Sequence, residues 1–205
     1  MPMDTEPQLV RIAADLAEQG WSRQDLFLTP DLTLELAAEC HRRAAQGDLS
    51  AAGVGRGAAQ GLQAAIRGDR IQWLEPGESS ACDRYLARMD ALRQALNASL
   101  YLGLEDYESH FAFYPPGAFY RRHLDRFRDD DRRAVSVVLY LNPDWLPQEG
   151  GALRLHLVQQ ELDIDPLAGR LVVFLSAEVP HEVLPATRDR LSLAGWFRRR
   201  GDGPF

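Results

Sequence analysis

Apolar residues recur at helical spacing through the first hundred positions of the chain. Two stripes, Leu9, Ile12, Ala13 and Leu16, then Tyr85, Met89, Leu92 and Leu96, repeat every three or four residues. Between them, Thr29 as N-cap, Pro30 in the first turn and Gly47 as C-cap predict another helix. We therefore expect three helices with core-facing stripes in the first hundred residues.

Beyond residue 105 the pattern changes to short β-rich runs. The runs are HFAFY, FYRRHLD, AVSVVLYLN, ALRLHLV, GRLVVFLS, HEVLPA and LSLAGWF, separated by turn residues such as Pro115-Pro116-Gly117 and Gly150-Gly151. An earlier strand is predicted at 71–74. Many short strands with polar turns are typical of an antiparallel sandwich or barrel. We predict an α+β fold and one domain over 1–205, in which helices of 1–100 pack outside a jelly roll at 105–200.

The composition and charge of the chain argue against several classes of protein. The chain has 205 residues, a formal net charge of -7 and 45% hydrophobic residues, and no apolar run long enough to span a bilayer. The acidic N-terminus does not look like a signal peptide. Cys40 and Cys82 lack metal-binding spacing, which favours a reducing, cytoplasmic setting. The acidic charge argues against nucleic acid as a partner, and no membrane partner is expected.

A candidate metal site begins in the stretch YRRHLDRF. His123 and Asp125 are two residues apart at the end of a predicted strand, so both side chains can face the same way. His181, which follows the apolar run at 171–175, is the candidate third ligand. Two histidines and a carboxylate leave open positions on a six-coordinate metal and favour non-haem Fe(II) with oxygen chemistry. His41, His110 and His156 are weaker candidates, and His110 is expected to line a pocket.

A buried arginine beside a metal site needs an anionic partner. Arg190 begins the strand LSLAGWF, nine residues after His181, and its planar fork matches a carboxylate. Arg188 has the same strand parity, so spacing alone does not choose between the two.

Glu182 is the one obvious base for a zinc hydrolase, but as the neighbour of His181 it should point away from the metal.

Several longer segments carry a family resemblance. They are RGDRIQWLE, FYPPGAFYRRHLD, VVLYLNPDW, GGALRL, HEVLPATRDR and GWF, which together span 67–197. In their order and spacing they resemble the 2-oxoglutarate- and Fe(II)-dependent dioxygenases, and most closely the prolyl 4-hydroxylases of the oxygen-sensing type with their bacterial relatives. The Pro115-Pro116 turn and the RDDDRR loop depart from the animal enzymes and put partner specificity in doubt.

The resemblance implies a double-stranded β-helix and a role for each matched residue. His123, Asp125 and His181 would hold iron as catalytic metal ligands. The cosubstrate 2-oxoglutarate would be bound by Arg190, Tyr140, Tyr114, Leu153, Val183 and Trp196. Arg132 and Tyr120 would lie towards the substrate, and the glycine-rich loop at 53–65 would fold over it.

The resemblance also implies an activity, for which alternatives remain. The expected reaction is hydroxylation of a prolyl C4 in a protein, with a translation factor such as elongation factor Tu as a target. It would use Fe(II), 2-oxoglutarate and O2, with ascorbate as an optional reductant. The alternatives are hydroxylation of a free amino acid or another small molecule, and a non-catalytic jelly-roll module for binding or sensing.

Overall fold

The computed structural model describes residues 5–53, 66–126 and 132–200. Three helices are present: α1 (Thr5–Gln19), α2 (Pro30–Gln46) and α3 (Ser80–Leu100). Six strands come first: β1 (Trp21–Gln24), β2 (Ser50–Ala51), β3 (Arg70–Trp73), β4 (Leu104–Tyr114), β5 (Tyr120–His123) and β6 (Arg133–Tyr140). Five more follow: β7 (Leu153–His156), β8 (Glu161–Ile164), β9 (Leu171–Leu175), β10 (His181–Val183) and β11 (Arg190–Arg199).

The strands form two antiparallel sheets. The larger has seven strands in the order β1-β9-β6-β11-β4-β3-β2, and the smaller has four in the order β5-β10-β7-β8. Strands far apart in the chain are neighbours in both sheets, so the sheets can form only when the C-terminal half is in place. One hydrophobic cluster packs the three helices against the large sheet, and a second lies on the strands of both sheets.

The period of two along the central strands divides the large sheet into two faces. On β11, Leu191, Leu193 and Phe197 belong to the cluster with the helices, whereas Arg190 and Ser192 line a cleft. The same alternation occurs on β4, where Phe111 and Phe113 belong to the cluster and His110, Ala112 and Tyr114 line the cleft. Because successive side chains point to opposite faces, one strand supplies the core with alternate residues and the cleft with the residues between them.

The helix ends follow the capping signals in the sequence. The side chain of Thr29 accepts a hydrogen bond from the backbone N–H of Leu32, and Gly47 ends α2 in the left-handed conformation with φ 80°. Ser79 caps α3 in the same way, through the N–H of Cys82. Cys40 and Cys82 are buried free thiols. Within the three described ranges, no helix is both long and apolar enough to cross a membrane.

Two predictions about strands were incomplete. β1, β2 and β8 were not predicted, because they are short edge strands whose pairing depends on β9, β3 and β7. The strand predicted through Asp125 ends at His123, because a bulge and a bend interrupt it. In that bulge, His123 is opposite His181 while Tyr120 is opposite Val183, so β5 has one residue more than β10 over this stretch. The single domain over 1–205 stays a prediction.

Candidate active site

Three potential metal ligands converge where β5 and β10 lie side by side. His123 is paired with His181 across the two strands, and Asp125 follows β5 in a bend. The Nε2 atom of His123 lies 3.4 Å from Oδ1 of Asp125, and Nε2 of His181 lies 3.6 Å from Oδ2. The ligand atoms of all three side chains lie within 4.8 Å of one another. One ion can therefore contact all three.

Backbone carbonyls determine which nitrogen of each histidine is free. Nδ1 of His123 lies 2.7 Å from the carbonyl oxygen of Arg121, and Nδ1 of His181 lies 3.1 Å from that of Val179. A carbonyl only accepts hydrogen bonds, so each Nδ1 carries the proton and donates it. The Nε2 lone pairs are left on the side of Asp125, which is the tautomer that metal binding requires.

The charge states of the cluster also suit a metal. Burial would raise the pKa of Asp125, but His181, His123 and a hydrogen bond from Ser136 together hold that pKa well below its usual value. Burial lowers the pKa of His181 to about 4, against the attraction of Asp125. The carboxylate is therefore charged and His181 is neutral near pH 7, as ligands of a divalent cation should be.

The cluster lies in a cleft between the two sheets. Its empty volume, which includes space open to solvent, is about 770 Å³. The predicted residues Tyr114, Tyr120, Leu153, Val183, Arg190 and Trp196 line it. So does His110, as the sequence analysis anticipated. Of the glycine-rich loop, Gly53 lines the cleft, and 54–65 lie outside the described residues.

A guanidinium that has no carboxylate partner among the described residues is buried in the wall of the cleft. Arg190 is 1% exposed, and its Nε donates to the carbonyl of Gly151 at 2.8 Å. Its Cζ lies 5.1 Å from the ring centroids of both Tyr114 and Tyr140. Neither Nη2 of Arg190 nor the hydroxyl of Tyr140 has a hydrogen-bond partner among the described residues. A buried cation of this kind requires an anion, and a carboxylate fits the available donors.

The protonation state of Tyr140 supports this interpretation. The residue is fully buried, and burial raises its pKa to about 12 against the opposing effect of Arg190. The phenol therefore keeps its proton at neutral pH and can donate a hydrogen bond to a carboxylate. The side chain packs on Arg190 behind the cleft surface, so its hydroxyl and the guanidinium can serve the same anion.

The competing residues are engaged elsewhere. Nη1 of Arg188 lies 3.3 Å from a carboxylate oxygen of Glu149, and its guanidinium also lies over the ring of Trp145. The carboxylate of Glu182 lies 3.1 Å from Nε2 of His156, away from the cluster, which removes the base that a zinc hydrolase would need. His41 is exposed on α2.

The residues expected on the substrate side are only partly where the sequence placed them. Tyr120 lines the cleft with its ring stacked on that of His123, with 3.6 Å between the ring centroids. Arg132 is not among the residues that line the cleft, whereas the adjacent Arg133 is, with its guanidinium 3.6 Å from the ring centroid of Trp196. Sequence spacing could not separate these neighbours, because the register of β6 decides which one faces inward.

Sequence reasoning also missed side chains that support the site from behind. Ser136 donates to Oδ2 of Asp125 at 2.7 Å. Arg67 lies 4.7 Å from the ring centroid of Tyr120, and Asp69 binds that guanidinium through both carboxylate oxygens. Arg67 and Asp69 lie within the segment RGDRIQWLE, which carries part of the family resemblance. The sequence therefore pointed to this segment, but not to the contacts of these two side chains.

Comparison with known proteins agrees with this geometry. The profile of the 2OG-Fe(II) oxygenase superfamily matches residues 109–198. The chain is 62% identical to a prolyl-4-hydroxylase from Pseudomonas putida of known crystal structure, with a TM-score of 0.86 and coverage of 94% of this chain and 100% of that one. A prolyl hydroxylase from Trichoplax adhaerens, solved with a peptide fragment of the hypoxia inducible factor oxygen degradation domain, is 29% identical, with a TM-score of 0.83 over 97% of this chain and 94% of that one.

A curated human protein is also similar. Egl nine homolog 1 of Homo sapiens is 36% identical over 142 residues, which cover 64% of this chain and 33% of the human protein. The chain therefore spans only about a third of the length of that relative, and 41% and 35% of its rat and mouse counterparts.

Fold, metal-binding cluster and sequence similarity together define the class: the chain belongs to the 2OG-Fe(II) oxygenase superfamily. Within that superfamily its relatives are prolyl hydroxylases. The predicted α+β fold with a double-stranded β-helix and outer helices is confirmed, and so is the predicted class, a 2-oxoglutarate-dependent dioxygenase of the prolyl hydroxylase type.

Proposed function

We propose that this chain hydroxylates C4 of a prolyl residue in a polypeptide, using Fe(II), 2-oxoglutarate and O2. One observation carries the proposal: the cleft that holds the His–Asp–His cluster also has, in its wall, a buried arginine without an anionic partner among the described residues. A metal site beside a carboxylate site is the arrangement that a metal-chelating keto acid needs. The prolyl hydroxylases among its relatives support the choice of proline.

His123, Asp125 and His181 would hold the iron. The free Nε2 atoms and the charged carboxylate are donors that suit Fe(II) and leave positions open for other ligands. Bound Fe(II), together with 2-oxoglutarate and O2, supplies the oxidant that hydroxylates an unactivated C–H bond. The protein contributes binding, orientation and exclusion of water.

Arg190 and Tyr140 would bind the distal carboxylate of 2-oxoglutarate. Among the described residues, neither Nη2 of Arg190 nor the protonated hydroxyl of Tyr140 has a hydrogen-bond partner, so both can donate to a carboxylate. Since Arg190 is held by the carbonyl of Gly151, its position is set before the cosubstrate arrives. Tyr114 would contact the cosubstrate nearer the metal, and Leu153, Val183 and Trp196 would form its apolar wall.

The mouth of the cleft favours a polypeptide over a small molecule. Leu124 lines the cleft and is 44% exposed, and Trp73, which packs edge-on against His110, is 42% exposed. These exposed apolar side chains, one in the cleft and one packed on its wall residues His110 and Trp196, are available to contact a polypeptide substrate. Tyr120 would face this substrate, with Arg132 or the cleft-lining Arg133 beside it.

The cosubstrate site is tested by anaerobic titration with Fe(II) and 2-oxoglutarate, which gives a visible absorption band when the keto acid chelates the iron. We expect the band in the wild type. Tyr140→Phe should weaken 2-oxoglutarate binding by about tenfold, since it removes a hydrogen bond to a charged group. Arg188→Ala is the control and should bind normally. No band with fully loaded metal would remove the oxygenase activity and favour a binding module.

The target is tested with recombinant elongation factor Tu, the translation factor that the family resemblance of the sequence implies. Turnover should increase its mass by one oxygen atom at a proline. An unmodified factor, together with oxidation of free proline, would favour the small-molecule alternative.

Repeating the assay with and without ascorbate tests whether that reductant is needed. A cytoplasmic location stays a prediction.

A further inference from the structure

Asp125 is held in place by residues outside its own strand. It lies in the bend after β5, and 127–131, which follow, are outside the described residues. Its Oδ2 accepts a hydrogen bond of 2.7 Å from the hydroxyl of Ser136 on β6. The backbone N–H of Arg126 donates to the carbonyl of Ser176, just after β9, at 3.3 Å. The bend is therefore attached to the large sheet at two points.

The two serines are also linked to each other. The hydroxyl oxygens of Ser136 and Ser176 are 2.8 Å apart, and the residues are 1% and 0% exposed. Ser136 lies on β6 opposite Phe174, and Ser176 immediately follows the neighbouring antiparallel strand β9. Their separation is that of a normal hydrogen bond between hydroxyl groups.

The direction of this hydrogen-bond chain follows from the number of protons. An ionised carboxylate can only accept, so the single hydroxyl proton of Ser136 is donated to Asp125. The oxygen of Ser136 must then accept the proton of Ser176. Hydrogen bonds arranged in series polarise one another, so Ser176 strengthens the bond that Ser136 makes to the carboxylate.

We propose that Ser136 and Ser176 are positioning residues, which orient the carboxylate of Asp125 towards the metal. Ser136 satisfies one lone pair of Oδ2 and prevents the carboxylate from rotating away from His123 and His181. Ser176 acts only through Ser136. The proposal rests on the proposed function, because it assumes that the cluster binds a divalent metal.

The test measures the affinity of metal-free protein for Mn(II), a probe that needs no turnover. Ser136→Ala should weaken Mn(II) binding by at least about tenfold, the usual effect of removing a partner of a metal ligand. Ser176→Ala should weaken it by a smaller factor. Ser136→Thr keeps the hydroxyl and should restore affinity. The visible spectrum of Co(II)-loaded protein should change in Ser136→Ala, because the geometry of the carboxylate ligand changes.

A matched control separates positioning from stability. Ser109 on β4 is 2% exposed and donates to the carbonyl of Ala194 at 3.0 Å, on the face of the sheet directed towards Tyr85. Ser109→Ala therefore loses a buried serine hydroxyl without affecting Asp125, and should bind Mn(II) like the wild type. A weakening as large as that of Ser136→Ala would assign the effect to general loss of packing and overturn the proposal.

A double-mutant cycle tests the order of the chain. If Ser176 acts only through Ser136, then Ser176→Ala should have no further effect in the Ser136→Ala background. Additive effects would overturn the relay. Wild-type affinity in Ser136→Ala would overturn the proposal while leaving the proposed function intact, whereas a wild type that binds neither Mn(II) nor Fe(II) would remove the proposed function itself.

Discussion

At the scale of single residues, Gly195 has almost no room for a side chain. A Cβ added there would collide with the hydroxyl of Tyr107 and lie 2.7 Å from the backbone oxygen of Glu108. Tyr107 cannot easily move, because its hydroxyl is bonded to that of Tyr85. We predict that Gly195→Ala lowers the free energy of unfolding by about 3 kcal/mol, as overpacking of a dense core does. Urea unfolding monitored by circular dichroism would measure this.

The control for that prediction is Gly77. Its φ is +87°, and a Cβ there would meet nothing within 4 Å. Gly77→Ala should therefore cost only the strain of a left-handed alanine, about 1 kcal/mol. Equal losses in the two variants would mean that the contacts around Gly195 can relax, and would contradict the prediction.

His110 should make stability depend on pH. It is 1% exposed, and burial, assisted by the positive charge of Arg67, lowers its pKa from 6.5 to about 4. The unfolded chain therefore takes up this proton at a higher pH than the folded protein does. The stabilisation is complete above pH 6.5 and is lost as the pH falls through this range towards 4. The loss is about 3 kcal/mol for a shift of this size.

The measurement compares urea unfolding of the wild type and His110→Gln in metal-free protein across the acidic range. Other groups titrate in both proteins, so only the difference reports on His110. The variant should lose less stability on acidification. If the two curves of stability against pH run parallel, His110 does not titrate in the way its burial implies.

Side chains that act alone were easier to predict than side chains that act through others. His123, Asp125 and His181 were found from chemistry and spacing. Ser136 was not found, because a serine in a strand has no signal of its own until the register of β6 and β9 places it against Asp125. Its role depends on contacts between strands that are about forty residues apart in the chain.

At the scale of elements, Asn142 joins three segments. Its side chain accepts from the N–H of Leu191 at 2.6 Å, and donates to the carbonyls of Leu191 at 2.9 Å and Pro166 at 2.8 Å. It is 2% exposed, so water cannot replace these bonds. We predict that Asn142→Ala lowers the free energy of unfolding by about 3 kcal/mol, because buried backbone groups lose their partners.

Asn97 offers a matched comparison, measured by thermal or urea unfolding. Its amide makes a similar pair of bonds, both 2.8 Å long, to the backbone of Leu104, but in a part-buried position. Asn97→Ala should cost only about 1 kcal/mol, since water can reach the groups it leaves. A loss from Asn97→Ala as large as that from Asn142→Ala would show that burial does not govern these interactions.

Helices were predicted more fully than strands, for a physical reason. Helix caps are local, and Thr29 and Gly47 act as the sequence indicated. Strand limits depend on partners: β5 has a bulge against β10 and ends at His123, and Asp125 reaches the cluster from the bend that follows and not by strand alternation. Asp125 lies in the predicted cluster, while the local geometry predicted for it was wrong, and its role as a ligand stays a prediction.

At the scale of the whole molecule, bound metal and 2-oxoglutarate should stabilise the packing of the two sheets against each other. The cleft lies between them: the candidate metal ligands come from β5, β10 and the bend after β5 in the small sheet, whereas Arg190 lies on β11 of the large sheet. We predict that Mn(II) with 2-oxoglutarate, at a hundredfold excess over their dissociation constants, stabilises the protein by about 2.7 kcal/mol per site. The midpoint of thermal unfolding should rise accordingly and return to its original value with a chelator.

His181→Ala is the control for this effect. It removes a ligand, so the thermal midpoint of the variant should not respond to the metal. An equal rise in the variant would place the stabilising metal somewhere else on the protein.

The order of the motifs predicted the architecture of the whole molecule but not its pairing. Apolar residues recur every three to four positions in the first half of the chain and every second position in the strands of the second half. These two periodicities predict helices outside a jelly roll. The large sheet, by contrast, places β9 beside β6 and β6 beside β11. Such long-range contacts depend on the packing of the complete chain, which local patterns do not encode.

The two faces of the large sheet have a consequence for protein engineering. On β11, the residues Leu191 and Leu193 belong to the core, whereas Arg190, Ser192 and Ala194 line the cleft. Positions that govern folding and positions that govern selectivity therefore alternate along the same strand. A combinatorial library randomised only at the cleft-facing positions of β11 should stay largely folded while sampling new pockets, and in a deep mutational scan of this strand abundance and turnover scores should alternate with a period of two.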